Sequence, residues 1–96
     1  MEKKISELLT DESKWCRFDP ARDKDGIPTA PKSPEAVRWC LLGAASRCGY
    51  TFDERSSFFY TAEKKISPEG AAITGWQDAP ERTFDEVREL LLSIGH

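Results

Sequence analysis

The stretch Ser33-Pro34-Glu35-Ala36-Val37-Arg38-Trp39-Cys40-Leu41-Leu42-Gly43-Ala44-Ala45-Ser46-Arg47-Cys48-Gly49 decides the fold class. It opens with a hydroxyl that caps a helix, a proline suited to the first helical position and an acid that complements the helix dipole. Val37, Cys40, Leu41, Ala44 and Cys48 then recur at helical spacing, and Trp39, Leu42 and Ala45 widen the apolar surface beyond a single stripe. A helix apolar on most sides needs neighbours on most sides. The spacing therefore predicts a central buried helix over 34–48, stopped by Gly49. Gly43 costs up to ~1 kcal/mol relative to alanine inside a helix, so a close approach by a ring or by backbone is expected there.

Working outward, the same punctuation recurs. Thr51-Phe52-Asp53-Glu54 and Thr83-Phe84-Asp85-Glu86 each read as a capping box, in which the threonine bonds forward and the glutamate reaches back. Ser67-Pro68-Glu69 repeats the Ser-Pro-Glu start, and a short helix over 68–74 is expected to end at Gly75-Trp76. Ile5, Leu8 and Leu9 suggest a first helix near 3–11. Phe84, Val87, Leu90, Leu91 and Ile94 form one face of a final helix. Between the first two helices, Asp25-Gly26 favours a tight turn, and the segment 16–30 reads either as a small β-hairpin (Arg17–Ala21 with Ile27–Ala30) or as an ordered loop. The fold class is mainly α, or α+β with the hairpin: four to five short helices in one domain, 1–96.

Composition excludes several functions. Hydrophobic residues make up 39% and charged residues 32% of the 96 residues, as in a compact globular chain. Seventeen acidic and 14 basic residues leave a net charge of -3 with no basic run longer than two residues, an unpromising footprint for nucleic acid. That function needs Arg17, Arg22, Arg38, Arg47 and Arg55 gathered on one face. The apolar run from Trp39 to Ala45 is far too short for a membrane span, and the N-terminus does not read as a signal peptide. Cytoplasmic location is expected.

No catalytic or metal constellation emerges. Cys16, Cys40 and Cys48 read as reduced thiols packed like small hydrophobes; Cys40 and Cys48 on one helix stand about 12 Å apart along its axis, too far for a disulfide. Cys40 lacks a base, since the one histidine, His96, is the last residue and is expected to fray. Dispersed cysteines do not make a zinc site, and Asp23-Lys24-Asp25-Gly26 lacks the rest of a calcium loop. No phosphate-cradling glycine motif occurs, and no cofactor is expected. What remains is Trp76-Gln77-Asp78 with Arg82, which joins an aromatic, an amide, an acid and a guanidinium. These residues read either as a core plug with an Asp78–Arg82 brace, or as a binding rim together with Arg22, Asp23 and Arg38.

Taken in order, Ala21-Arg22-Asp23 with Gly26, Trp39-Cys40-Leu41-Leu42-Gly43-Ala44, and Trp76-Gln77-Asp78 with Arg82-Thr83 resemble a family of short bacterial and bacteriophage proteins described as a domain of unknown function. The resemblance runs from about Leu8 to Ile94. Gln77 stands where that family usually carries asparagine, which keeps the amide but lengthens its reach. The resemblance implies a phage or prophage setting and supplies no activity. The expected function is non-enzymatic binding of another protein, such as a host defence or regulatory component. The rival is a small-ligand binder or enzyme built on Trp76, Asp78 and Arg82.

Overall fold

The computed structural model describes residues 3–66 and 72–96. Five helices lie among them: α1 (Ile5–Leu8), α2 (Leu41–Arg47), α3 (Phe52–Ile66), α4 (Ile73–Asp78) and α5 (Phe84–Ser93). A single 3-10 turn at Glu12–Lys14 and two short strands, β1 (Ala21–Arg22) and β2 (Arg38–Trp39), complete the set. The fold class is mainly α with a small antiparallel pair, as the sequence predicts.

Local grammar holds where both partners are close in sequence. The Glu54 amide donates to Thr51 Oγ1 (3.2 Å) while the Thr51 amide donates to Glu54 Oε1 (2.9 Å), starting α3. Thr83 and Glu86 repeat the exchange at 3.2 and 3.0 Å, starting α5. The face predicted for α5 is the one it buries: Phe84, Val87, Leu90 and Leu91 all enter the core.

The central helix differs from expectation. It begins at Leu41, with Cys40 as its N-cap, rather than at Pro34. Ser33 does start a turn, since its hydroxyl accepts from the Glu35 amide (3.2 Å) and its carbonyl from the Ala36 amide (3.2 Å), but the turn does not propagate. Residues 38–39 instead pair with β1 in the register Ala21↔Trp39 and Arg22↔Arg38, and the Cys40 amide donates to Pro20 O (3.2 Å). The physical reason lies in the apolar pattern. Extended backbone turns Trp39 inward and leaves Arg38 in solvent, whereas a continuous helix would need apolar neighbours on nearly every side. The Trp39 indole N–H donates to Pro31 O (2.9 Å), which fixes the ring from outside its own strand.

Gly43 then has a clear task. A Cβ built there would lie 1.7 Å from the Pro20 carbonyl oxygen, so α2 packs against the chain before β1 at a distance only glycine permits. The backbone approach expected from the sequence is real. The turn at 23–26 also forms: Gly26 takes φ +80°, the Gly26 amide donates to Asp23 O (3.0 Å), and Arg22 bridges Pro28 antiparallel. Residues 17–20, expected as the first hairpin strand, form bends instead.

Two further corrections bear on function. The fourth helix runs through Gly75 and Trp76 rather than ending there, so Trp76, Gln77 and Asp78 stand on α4 and not on a loop. Its first free amide, Ile73 N, is capped by Glu63 Oε2 of α3 (2.8 Å), a partner that local sequence does not reveal. The predicted start at Ser67-Pro68-Glu69 lies outside the described residues. At the other end, His96 is docked: its amide donates to Leu91 O (2.9 Å), its carbonyl accepts from Ser6 N (2.7 Å), and Nδ1 meets Tyr50 Oη at 2.7 Å. Its ring packs on Phe58 with centroids 5.1 Å apart, so α1, α3 and α5 meet there.

Loops are tied down by arginine. Among the described residues, five of the seven arginines donate to main-chain carbonyls. Arg47 holds Pro31 O and Ser33 O (3.2 and 2.8 Å) with its guanidinium over the Trp39 ring, and Arg88 holds Ser6 O and Leu9 O (3.1 and 3.0 Å). Each such bond carries a formal charge and is stronger than a neutral one.

Candidate functional site

Gln77 is the most buried polar residue of the expected set, at 2% exposure. Its Oε1 accepts from the Trp15 indole (3.0 Å) and from the Leu41 amide (2.9 Å), joining the 3-10 turn to the start of α2. Gln77 Nε2 donates to Asp78 Oδ1, which also accepts from the Phe18 amide (3.0 Å). Trp76 packs against the core under the Arg82 guanidinium, 4.1 Å from the ring centroid.

Arg82 donates through Nε to Trp76 O (3.0 Å) and pairs with Glu86 (2.8 Å) rather than with Asp78. The expected Asp78–Arg82 brace is thus replaced by two separate ties. Asp78, the last residue of α4, faces the 17–19 loop, while Arg82, between α4 and α5, ties the Trp76 carbonyl of one to Glu86 of the other.

Of the remaining predicted residues, Arg22 donates to Gly26 O (2.8 Å) and pairs with Asp19. Asp23 Oδ1 accepts from the Asp25 and Ile27 amides (2.9 and 3.0 Å), holding its own turn. Arg38 is exposed, opposite Arg22 across the strand pair. The structure therefore sets Arg22, Asp78 and Arg82 around one loop, 17–19, while Asp23 and Arg38 stand on the adjoining ribbon.

That loop carries the residue that sequence reasoning missed. Phe18 has φ +74°, the left-handed region, and is 73% exposed. A bulky side chain there costs about 1–2 kcal/mol. Its neighbour Arg17 has a buried Nε with no partner among the described residues, although Arg17 Nη2 donates to Arg82 O and the group lies 4.4 Å from the Trp15 ring centroid. Two consecutive residues thus bear a cost, and the Asp78 carboxylate and the Arg82 carbonyl hold them there. Residues held in strained backbone by their surroundings cluster at functional sites. The only sequence signal is negative: Phe18 is an aromatic in a polar, proline-bounded stretch, with no periodic partner.

Beside Phe18 opens a cavity of about 70 Å³, walled by Pro20, Cys40, Leu42, Ile73, Thr74 and Asp78. Pockets for cofactors and drug-sized ligands run to roughly 300–1,000 Å³, so this one matches a single side chain. A wider, open groove between Asp11, Arg17, Arg82 and Arg88 mixes both charge signs, and its arginines already hold carbonyls.

The chemistry of Cys40 follows from its place. Its Sγ accepts from the Gly43 amide (3.4 Å), which favours thiolate, but burial outweighs this and pushes the thiol above its ordinary pKa, with the Asp78 charge adding to the rise. Cys16 is pushed up to about 11, chiefly by burial. The three cysteines are buried thiols. Among the described residues no group of three or more His, Cys, Asp or Glu side chains is placed to hold a metal ion.

Fold and site together define a mainly helical protein with arginine-tied loops and a small apolar cavity beside a strained aromatic. The chain belongs to a family of unknown function, DUF6197, whose pattern matches residues 3–94. No curated protein and no solved structure gives a significant match. No helix among the described residues is long and apolar enough to cross a membrane.

Proposed function

We propose that the chain, as one domain over 1–96, is a non-enzymatic protein that binds another protein, and that Phe18 and its cavity form the contact. The observation that carries this reading is the pairing of a left-handed, 73% exposed phenylalanine with an adjacent side-chain-sized cavity. Burying such a ring against a partner contributes about 1.5–3 kcal/mol, enough to offset the backbone cost of presenting it. Fixing it in advance also lowers the entropy lost on binding. The phage–host setting and cytoplasmic location come with the motif resemblance, and a host defence or regulatory protein fits as the partner class.

The ligand or enzyme alternative built on Trp76, Asp78 and Arg82 is less favoured, because the Arg82 guanidinium is already engaged by the Trp76 carbonyl, the Trp76 ring and Glu86. The test compares affinity capture from source-cell lysate by the wild type, by Phe18→Asp and by Phe52→Ala. Phe52 is 74% exposed and serves as a matched control. One stoichiometric partner, lost with Phe18→Asp and kept with Phe52→Ala, is expected. Equal capture by all three proteins, or a turnover activity abolished by Asp78→Ala, overturns the reading.

A further inference from the structure

We infer that the cavity beside Phe18 takes a lysine side chain of the partner, its stem along the apolar walls and its ammonium on Asp78. This rests on the binding role proposed for that cavity. Three features select the occupant. The walls at Pro20, Leu42 and Ile73 are apolar, and Asp78 is the one charged side chain in the lining, so the guest is aliphatic along most of its length and cationic at one point.

The acceptor inventory then separates lysine from arginine. Both hydrogen bonds that Asp78 accepts, from the Phe18 amide and from Gln77 Nε2, fall on Oδ1. Oδ2 has none among the described residues. A guanidinium fork wants both carboxylate oxygens, whereas an ammonium, a compact point charge, needs only one, and Thr74 also lines the cavity. The third feature is Phe18 itself, an exposed aromatic in the cavity lining, and an aromatic ring attracts a cation that approaches its face. The cationic side chains nearest in sequence are turned elsewhere: Arg17 lies over Trp15 and Arg22 pairs with Asp19.

The test uses the full chain and three small probes: Nα-acetyl-lysine amide, Nα-acetyl-norleucine amide, which keeps the stem and lacks the ammonium, and Nα-acetyl-arginine amide. Binding is read from amide chemical shifts of Leu42, Ile73 and Thr74 on titration. The lysine probe should bind about five- to tenfold tighter than norleucine, which falls where exposed ion pairs give way to charge-assisted hydrogen bonds. Asp78→Asn, which keeps the acceptor for the Phe18 amide, should erase that difference. Phe18→Ala should weaken both.

Norleucine binding as tightly as lysine, or arginine binding more tightly, overturns the lysine assignment and leaves the cavity as a contact site. If no probe moves those amides in a protein whose spectrum is otherwise folded, the cavity reading fails as well.

Discussion

Replacing Gly43 by alanine pits local propensity against packing. Taken alone, the change should stabilise α2, because alanine is favoured over glycine inside a helix by ~1 kcal/mol. The structure reverses the sign. The new methyl would stand 1.7 Å from Pro20 O, and ordinary contact begins at 3.4 Å, so the two backbones must part by about 1.7 Å. Neither neighbour is a side chain that can swing away. Overpacking of this kind costs about 1–3 kcal/mol. Separation also lengthens the 3.2 Å bond from the Cys40 amide to Pro20 O, at about 1 kcal/mol. Against the propensity gain, the net loss is about 1–3 kcal/mol. For a chain near 100 residues that lowers Tm by roughly 4–8 °C per kcal/mol.

Gly75 supplies the control: it lies within α4, and a Cβ there meets nothing within 4 Å. Gly75→Ala should therefore raise Tm while Gly43→Ala lowers it, both read by thermal and urea unfolding. If the two substitutions shift stability in the same upward direction, the packing of α2 on Pro20 is wrong.

Other outcomes are equally specific. Gln77→Leu should destabilise by about 2–4 kcal/mol in urea titrations, because it strands the Trp15 indole and the Leu41 amide in the core; a loss below 1 kcal/mol would mean those donors find other partners. His96 has its pKa lowered, first by burial and then by Lys4, with Glu54 opposing, so its share of stability is complete above the unfolded value of about 6.5 and is lost as pH falls below it. The pH 7-to-5 stability drop should shrink in His96→Gln, and an unchanged drop would refute the assignment. Cys40 and Cys16 should label slowly with thiol reagents at neutral pH, since burial raises both thiols; rapid labelling of Cys40 in the native protein would contradict that.

How much was readable beforehand depended on the distance between partners. The caps at Thr51 and Thr83 involve residues three apart, so sequence shows both halves. The burial of α5 follows from its own period. By contrast, the start of α2 is set by pairing with Ala21–Arg22, and α4 is capped by Glu63, ten residues earlier and on another helix. Docking of His96 needs Tyr50 and Phe58, which no local rule connects to it.

The candidate site divides in the same way. Trp76, Gln77, Asp78 and Arg82 stood out by residue type, but their partners Phe18, Leu41 and Trp15 did not. Phe18 itself could not be found, because a left-handed phenylalanine is dictated by what grips its amide, not by its own preference.

The arginine-to-carbonyl ties have a consequence in acid. Guanidinium keeps its proton at every pH a protein meets, and a peptide oxygen has none to gain. When Glu86 gains its proton the Arg82–Glu86 attraction fades, yet Arg47 still grips Pro31 and Ser33, and Arg88 still grips Ser6 and Leu9. Acidification should therefore loosen the protein from its helix ends and its imidazole corner, with the long connections between elements the last to let go.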